Sequence, residues 1–376
     1  MKDRIYLDYN ATSPLSKRVI DFLGKGDLSL VNANPSSNHS SGKKSKKTIN
    51  SVSDYLLDSF HFKKSHSVLF NSGATEAINT FFRLKKSDLM IYAVTDHPAV
   101  IAMADFNKSY GVDAIALEVD RNGNIDINEL KLILDSTSKN VFLNITLVHN
   151  ENGSIFELSP IIELKNNYNF ILHVDAVQSV MRFDGWNHLS EKIDAVSYSA
   201  HKFGALKGIG FSFIKSEFKF APLLNGGGQQ AGLRSGTENP LATYSIQLAL
   251  EEVIDNGSIE KSIELKRAIV NLFKTVLGES GIVIFENNSN QACNTVPLIF
   301  KKFKSDISLI HFDMEGIDIS YGSACASGSI EGTQSLKSLG LSEYSKNFVR
   351  LSFGPFDYKN SESILKHLEN VFNKLK

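Results

Sequence analysis

Cysteine is scarce in this chain, which holds only Cys293 and Cys325. Two thiols cannot build a disulfide framework or a self-contained four-ligand zinc site. No metal is therefore expected, and a reducing, cytoplasmic setting is the default. Also missing is any run approaching the ~20 apolar residues of a membrane span. The opening Met1-Lys-Asp-Arg-Ile-Tyr-Leu-Asp8 has no apolar signal core. Charge of one sign is lacking too: 40 Lys and Arg against 41 Asp and Glu leave a net charge of -1. Such a balance gives no reason to expect attraction to nucleic acid or a membrane. The cluster Lys43-Lys44-Ser-Lys46-Lys47 reads as a solvated helix start rather than a binding patch. Internal repeats and low-complexity tracts are absent.

What is present suits a soluble globular enzyme. With 376 residues, 42% hydrophobic and 22% charged, the chain is too long for one small core and fits a large and a smaller domain. Strand-like runs alternate with helical patterns, which predicts an α/β architecture. A helix is predicted over 45–62, and strands over 67–70, 89–94, 140–148, 170–174, 195–199 and 210–214. A long helix over 240–254 is broken by Asp255-Asn-Gly-Ser258, where the domain boundary is placed. A small α/β domain follows: helices near 259–277 and 306–314 and from 361, with strands near 282–286, 295–300, 317–321 and 348–353.

Polar residues stand where several of these strands end. Thr75, His97, Asn150, Asp175 and Lys202 each follow a separate strand. Ligands bind at the carboxyl ends of strands in open, mostly parallel sheets, so these groups are expected to share one cleft. Gly73-Ala74-Thr75 opens a helix directly after a strand, where N–H groups suit a phosphate, or serve simply as a helix cap. Asp175 follows a buried run and needs a cationic or donor partner, either a pyridinium nitrogen or a structural salt bridge. Gln178, about one turn on, can meet a neighbouring ring substituent. His97 suits stacking on a flat ring or moving protons, or merely starting a helix. Lys202, in Ser199-Ala-His-Lys202, is a candidate imine-forming lysine or a surface loop residue. Together, the phosphate cradle, ring-nitrogen acid, ring-facing histidine and imine lysine point to pyridoxal 5′-phosphate.

These motifs resemble the class V aminotransferase family and, within it, the NifS/IscS-like cysteine desulfurases. The series runs Tyr6-Leu-Asp-Tyr-Asn-Ala-Thr12, Asn34-Pro-Ser-Ser-Asn-His39, Asn71-Ser-Gly-Ala-Thr-Glu76, Asp96-His97, Asn150-Glu151, His173-Val-Asp-Ala-Val-Gln178 and Ser199-Ala-His-Lys202. Gly226-Gly-Gly228, Arg234-Ser-Gly-Thr237, Gly322-Ser-Ala-Cys325 and Val349-Arg350 complete it over nearly the whole chain. The resemblance implies the fold of type I pyridoxal-phosphate enzymes: a large domain over 15–255 with a mostly parallel central sheet, and a small domain from 1–14 and 256–376. It implies a homodimer that converts L-cysteine to L-alanine and passes the sulfur to Cys325 as a persulfide. An acceptor protein would take it onward, for iron–sulfur cluster assembly or tRNA thiolation.

By the same resemblance, Lys202 carries the cofactor, Asp175 pairs with its ring nitrogen, Gln178 meets its phenolic oxygen and His97 stacks on its ring. Ala74, Thr75, Ser199 and His201 are expected at the phosphate, with Thr237 reaching over from a partner subunit. Asn150 is expected near cofactor and substrate, and Arg350 on the substrate carboxylate. Cys325 lies among Gly322, Ser323, Ala324, Ala326, Ser327 and Gly328, a setting with little to bury. That composition predicts a mobile thiol, whereas Cys293 reads as structural. A selenocysteine lyase or another class V enzyme is the alternative reading. Three places depart from the family pattern: Leu206 stands where proline is common, Gln229-Gln230-Ala231 replaces a more charged stretch, and the chain ends soon after Arg350.

Overall fold

The computed structural model describes residues 4–82, 87–120, 122–218, 220–285, 290–321 and 334–376. Its strands are, in chain order, β1 (Ile5–Tyr6), β2 (His66–Asn71), β3 (Leu89–Ala93), β4 (Asp113–Leu117), β5 (Val141–Thr146) and β6 (Phe170–Asp175). Then come β7 (Ala195–Ser199), β8 (Gly210–Lys215), β9 (Gly281–Val283), β10 (Thr295–Phe300), β11 (Ile317–Asp318) and β12 (Phe348–Ser352). Seven of them form the main sheet in the order β2-β8-β7-β6-β5-β3-β4. Only β8 runs against its neighbours, β2 and β7. The other neighbouring pairs are parallel. Because β8 reverses twice, β2 points the same way as β7, and the carboxyl ends of β2, β3, β5, β6 and β7 lie along one sheet edge.

Side chains alternate faces along a strand, and cross-strand partners share a face. Asn144 is registered with His173, Thr146 with Asp175, and Asp175 with Ser197. One face therefore carries Phe142, Asn144 and Thr146, then Ile171, His173 and Asp175, then Ala195, Ser197 and Ser199. Its far end is apolar and packs Phe142, Ile171 and Ala195 with Ala77, Ile78, Phe81, Val100 and Met103. Those come from the helices Ala74–Phe81 and Pro98–Lys108. Toward the carboxyl edge the same face turns polar, and there the site forms. The opposite face buries an aromatic group, in which Phe60 lies 5.0 Å from Tyr198, 5.0 Å from Phe213 and 5.2 Å from Trp186. Such pairs add about 0.5–1.5 kcal/mol each beyond their buried area.

The helix predicted from residue 45 begins at Ser40, where the His39 Nδ1 accepts the Gly42 N–H at 3.2 Å. The helix over 240–254 runs Pro240–Asn256 and the next one starts at Ile259. The strand β4 and the helices Ile127–Ser136 and Ser159–Leu164 stand where no element was predicted. A second apolar cluster joins Leu7 to residues from Leu265 to Leu375 around the antiparallel sheet β12-β10-β9. The strand β1 pairs with β11, so the first residues of the chain lie against its last third. Among the described residues no helix is long and apolar enough to cross a membrane.

Candidate functional site

β7 leads into a single 3-10 turn, Ala200–Lys202, which lifts Lys202 above the sheet edge. Its Nζ donates to the carbonyls of Asn10 at 2.7 Å and Ala11 at 2.8 Å. Asp175, the last residue of β6, is buried, and its Oδ1 accepts from the Val177 N–H at 3.1 Å. Burial pushes this carboxyl up to about 6, against the opposing pulls of the Val177 N–H and the charge of Lys202. His97 caps the helix Pro98–Lys108, its Nδ1 accepting from the Ala99 N–H at 3.1 Å. Burial first, and the Lys202 charge second, hold its imidazole below the usual range and so in the neutral form. The charge of Lys202 acts on both Asp175 and His97, and all three stand at the carboxyl edge of the main sheet, at or just after the ends of β7, β6 and β3.

Gln178 donates from Nε2 to the Asn10 carbonyl at 2.8 Å. Its Oε1 is buried without a hydrogen-bond partner among the described residues. An orphaned buried amide oxygen is costly and calls for a donor from a bound molecule. Ser199 Oγ accepts the Ala74 N–H at 2.9 Å, so two of the expected phosphate groups already touch. Gly73, at φ 153°, caps that helix, and Gly210 lies so close that a Cβ there would stand 2.8 Å from the Gly73 Cα. Bare backbone is what a phosphate cradle needs. His201 Nδ1 lies 3.0 Å from Thr12 Oγ1, and burial, with Lys202 and Lys207, brings its imidazole down to about 4. Thr75 is exposed at the first turn of the helix.

The remaining expected residues are placed less uniformly. Asn150 presents its carbonyl to Asn10 Nδ2 at 3.1 Å and to Arg350 Nη1 at 3.0 Å. Arg350 is almost wholly buried, and its Nη2 pairs with Asp8 at 2.7 Å while its Nε has no partner among the described residues. Thr237 is exposed on the loop over 225–239, away from the cradle's hydrogen bonds. That loop is fastened at three points, one of them the ion pair of Lys46 Nζ with Glu238 Oε2 at 3.1 Å. Arg234 Nε donates to Glu76 Oε1 at 2.9 Å, and the Gln230 amide takes both the N–H and the carbonyl of Phe70, at 2.7 and 2.8 Å. The departure at Gln230 therefore closes the open side of the edge strand β2. Cys325 and its neighbours lie outside the described residues. Cys293 is buried.

Sequence reasoning missed the part played by the first residues of the chain. The Asn10 carbonyl receives both Lys202 and Gln178, Thr12 meets His201, and Asp8 meets Arg350. The motif Tyr6–Thr12 was in view, but its place at the cleft depends on the β1–β11 pairing, which no local pattern encodes. Glu151 was missed as well. Burial raises its carboxyl to about 7, against the pull of Arg350.

The aminotransferase class-V family model matches residues 5–364. The cysteine desulfurase IscS of Dictyoglomus turgidum is 30% identical over 386 residues, covering 100% of this chain and 96% of its own length. The cysteine desulfurase IscS of Buchnera aphidicola is 31% identical over 394 residues, covering 100% of this chain and 94% of its own. Among solved structures, a NifS-like protein from Rickettsia africae superposes with a TM-score of 0.83 at 25% identity, covering 99% of this chain and 100% of that one. A structure of SspA in complex with cysteine gives a TM-score of 0.75 at 25% identity, covering 94% and 99%.

Proposed function

The chain belongs to the aminotransferase class-V family, and from that membership we propose that it is a pyridoxal-phosphate-dependent cysteine desulfurase. It converts L-cysteine to L-alanine and transfers the sulfur to its own Cys325. The observation that carries this reading is the meeting of Lys202, Asp175 and His97 at one sheet edge, beside a Gln178 oxygen that lacks a donor. The residues fit the cofactor. Ser199, Ala74, Thr75 and His201 would hold its phosphate, Asp175 its ring nitrogen, Gln178 its phenolic oxygen and His97 its ring face. When bound, the group supplies an electron sink that makes the substrate's α-proton removable.

The side chains do the rest. Lys202 would anchor the cofactor, and its Nζ, placed by the Asn10 and Ala11 carbonyls, would move the substrate's α-proton. Asp175, buried and accepting only the Val177 N–H among the described residues, would hold a proton-bearing nitrogen where solvent cannot compete. His97, neutral and anchored by its cap, would offer its flat ring face to the cofactor. Asn150 and Arg350 orient the substrate, with Arg350 taking its carboxylate. The thiolate of Cys325 attacks the substrate sulfur and forms a sulfur–sulfur bond. The carbon–sulfur bond breaks with its electron pair going to the substrate carbon, which takes up a proton to give alanine, and a persulfide remains on Cys325.

Further features belong to the same proposal. The large domain spans 15–255, and 1–14 with 256–376 forms the small one, a division supported by the separate apolar clusters. The enzyme works in the cytoplasm as a homodimer, with Thr237 completing the partner's phosphate site. An acceptor protein carries the sulfur to iron–sulfur assembly or thiolation chemistry. Incubation with L-cysteine and a reductant tests the activity: alanine and sulfide in equal amounts are expected. Pyruvate and ammonia instead, or no product from cofactor-saturated protein, would overturn it.

A further inference from the structure

Asp175 stands in the sheet between two hydroxyl residues, Thr146 on β5 and Ser197 on β7, each registered directly opposite it. Either hydroxyl is a natural donor to a buried carboxylate. Neither is used that way. Thr146 Oγ1 donates to Asp96 Oδ1 at 2.7 Å, and Asn144 Nδ2 donates to Asp96 Oδ2 at 2.8 Å. With its amide nitrogen spent on Asp96, Asn144 offers Oδ1 to His173 Nδ1, 2.6 Å away. His173 is fully buried and burial brings it down to about 3, so it is neutral and carries its one proton on Nδ1. Its Nε2 is then an acceptor, and Ser197 Oγ, 2.7 Å away, must donate to it. A hydroxyl has one proton. Both flanking protons are committed to the chain Thr146–Asp96–Asn144–His173–Ser197.

We propose that this chain acts as a positioning network that diverts the Thr146 and Ser197 hydroxyls from Asp175 and keeps that carboxylate short of donors. The consequence concerns the cofactor and rests on the functional reading above. A carboxylate already satisfied by two hydroxyls would gain little from a protonated ring nitrogen. One that receives a single backbone N–H at 3.1 Å among the described residues gains much more. Among the described residues, Lys202 favours the ionised form of Asp175, and the Asp175 charge in turn raises the Asp96 carboxyl. His173, two residues earlier on the same strand, is a neutral ring. Asp96 accepts three donors, from Thr146, Asn144 and the Ala93 N–H at 3.1 Å, which offset only part of the burial that raises its carboxyl to about 6.

The test reads the Asp175 carboxyl directly, by carbon NMR titration of the cofactor-free protein, alongside cofactor affinity by equilibrium titration. Ser197→Ala removes a hydroxyl that does not serve Asp175, so the midpoint stays put. Thr146→Val also takes a donor from Asp96, whose charge is coupled to Asp175, so there the midpoint stays put or falls slightly. His173→Phe frees the Ser197 hydroxyl, which turns to Asp175, lowers its midpoint by about one unit and weakens cofactor binding on the order of tenfold. Adding Ser197→Ala to His173→Phe restores the midpoint. An upward shift in either single hydroxyl variant would show that the hydroxyl serves Asp175, and would overturn the proposal. Because both hydroxyl variants are nearly isosteric, the question stays decidable if His173→Phe does not fold. The titration needs no cofactor, so its failure is separate from any failure of the desulfurase reading.

Discussion

Replacing Asp175 by asparagine separates stability from function, with opposite signs. In the cofactor-free protein burial lifts this carboxyl from 3.8 to about 6. A displacement of about two units corresponds to about 3 kcal/mol of penalty once the group is ionised. The asparagine has no charge to desolvate, and its Oδ1 can still accept the Val177 N–H. Cofactor-free Asp175→Asn is therefore more stable than the parent at pH 7.5, by up to about 3 kcal/mol. For a chain of this length that is a rise of about 4 °C in melting temperature. The pH dependence has a definite sign. A carboxyl whose folded pKa is raised contributes stability below its unfolded pKa and loses it as pH climbs through the folded one. The gap between variant and parent must close as pH falls from about 6 toward 4. Paired thermal melts at pH 7.5 and 4.5, with cofactor titration of both proteins, measure this. The variant also loses most of its cofactor affinity and turnover. A variant that melts lower than the parent at pH 7.5, with no convergence in acid, would refute the reasoning.

Other perturbations follow the same geometry. Lys202→Ala abolishes turnover and removes the visible absorbance of the bound cofactor, read by spectrophotometry. Cys325→Ala keeps that absorbance and still binds L-cysteine but releases no sulfide under reductant. Asp8→Ala leaves the buried Arg350 without its 2.7 Å partner and lowers stability by about 3–5 kcal/mol in denaturant unfolding. Gln230→Ala uncovers the backbone of Phe70 and loosens the loop that bears Thr237, so amide exchange rises at Phe70 and cofactor affinity drops severalfold.

Much of the cleft was legible because the chemistry sits at strand ends. β6 and β7 are continuous apolar or alternating runs, and each stops at a polar residue that cannot be buried without a purpose. The helices Pro240–Asn256 and Ile259–Leu277 were readable from their periodicity and from the Asn-Gly-Ser break between them. The edge strand β4 escaped notice because its Asp113-Ala-Ile-Ala-Leu117 is short and half exposed. The early start of the helix at Ser40 was hidden by Ser-Ser-Gly, residues that favour turns until His39 caps them. The Asn10 carbonyl and the hydrogen-bonded chain through His173 were out of reach for another reason. Both depend on register between strands far apart in sequence, and a pattern of residue types does not carry register. Gln230 looked like a loss of charge, whereas its amide supplies a backbone-like partner to an edge strand.

The most direct test of the proposed activity is to follow the sulfur itself. Cofactor-loaded protein is mixed with sulfur-labelled L-cysteine, digested without reductant, and mapped by mass spectrometry. The label is expected on Cys325 as an added sulfur atom, with one alanine released for each. Label on the buried Cys293, or alanine formed with no protein-bound sulfur, would contradict the account.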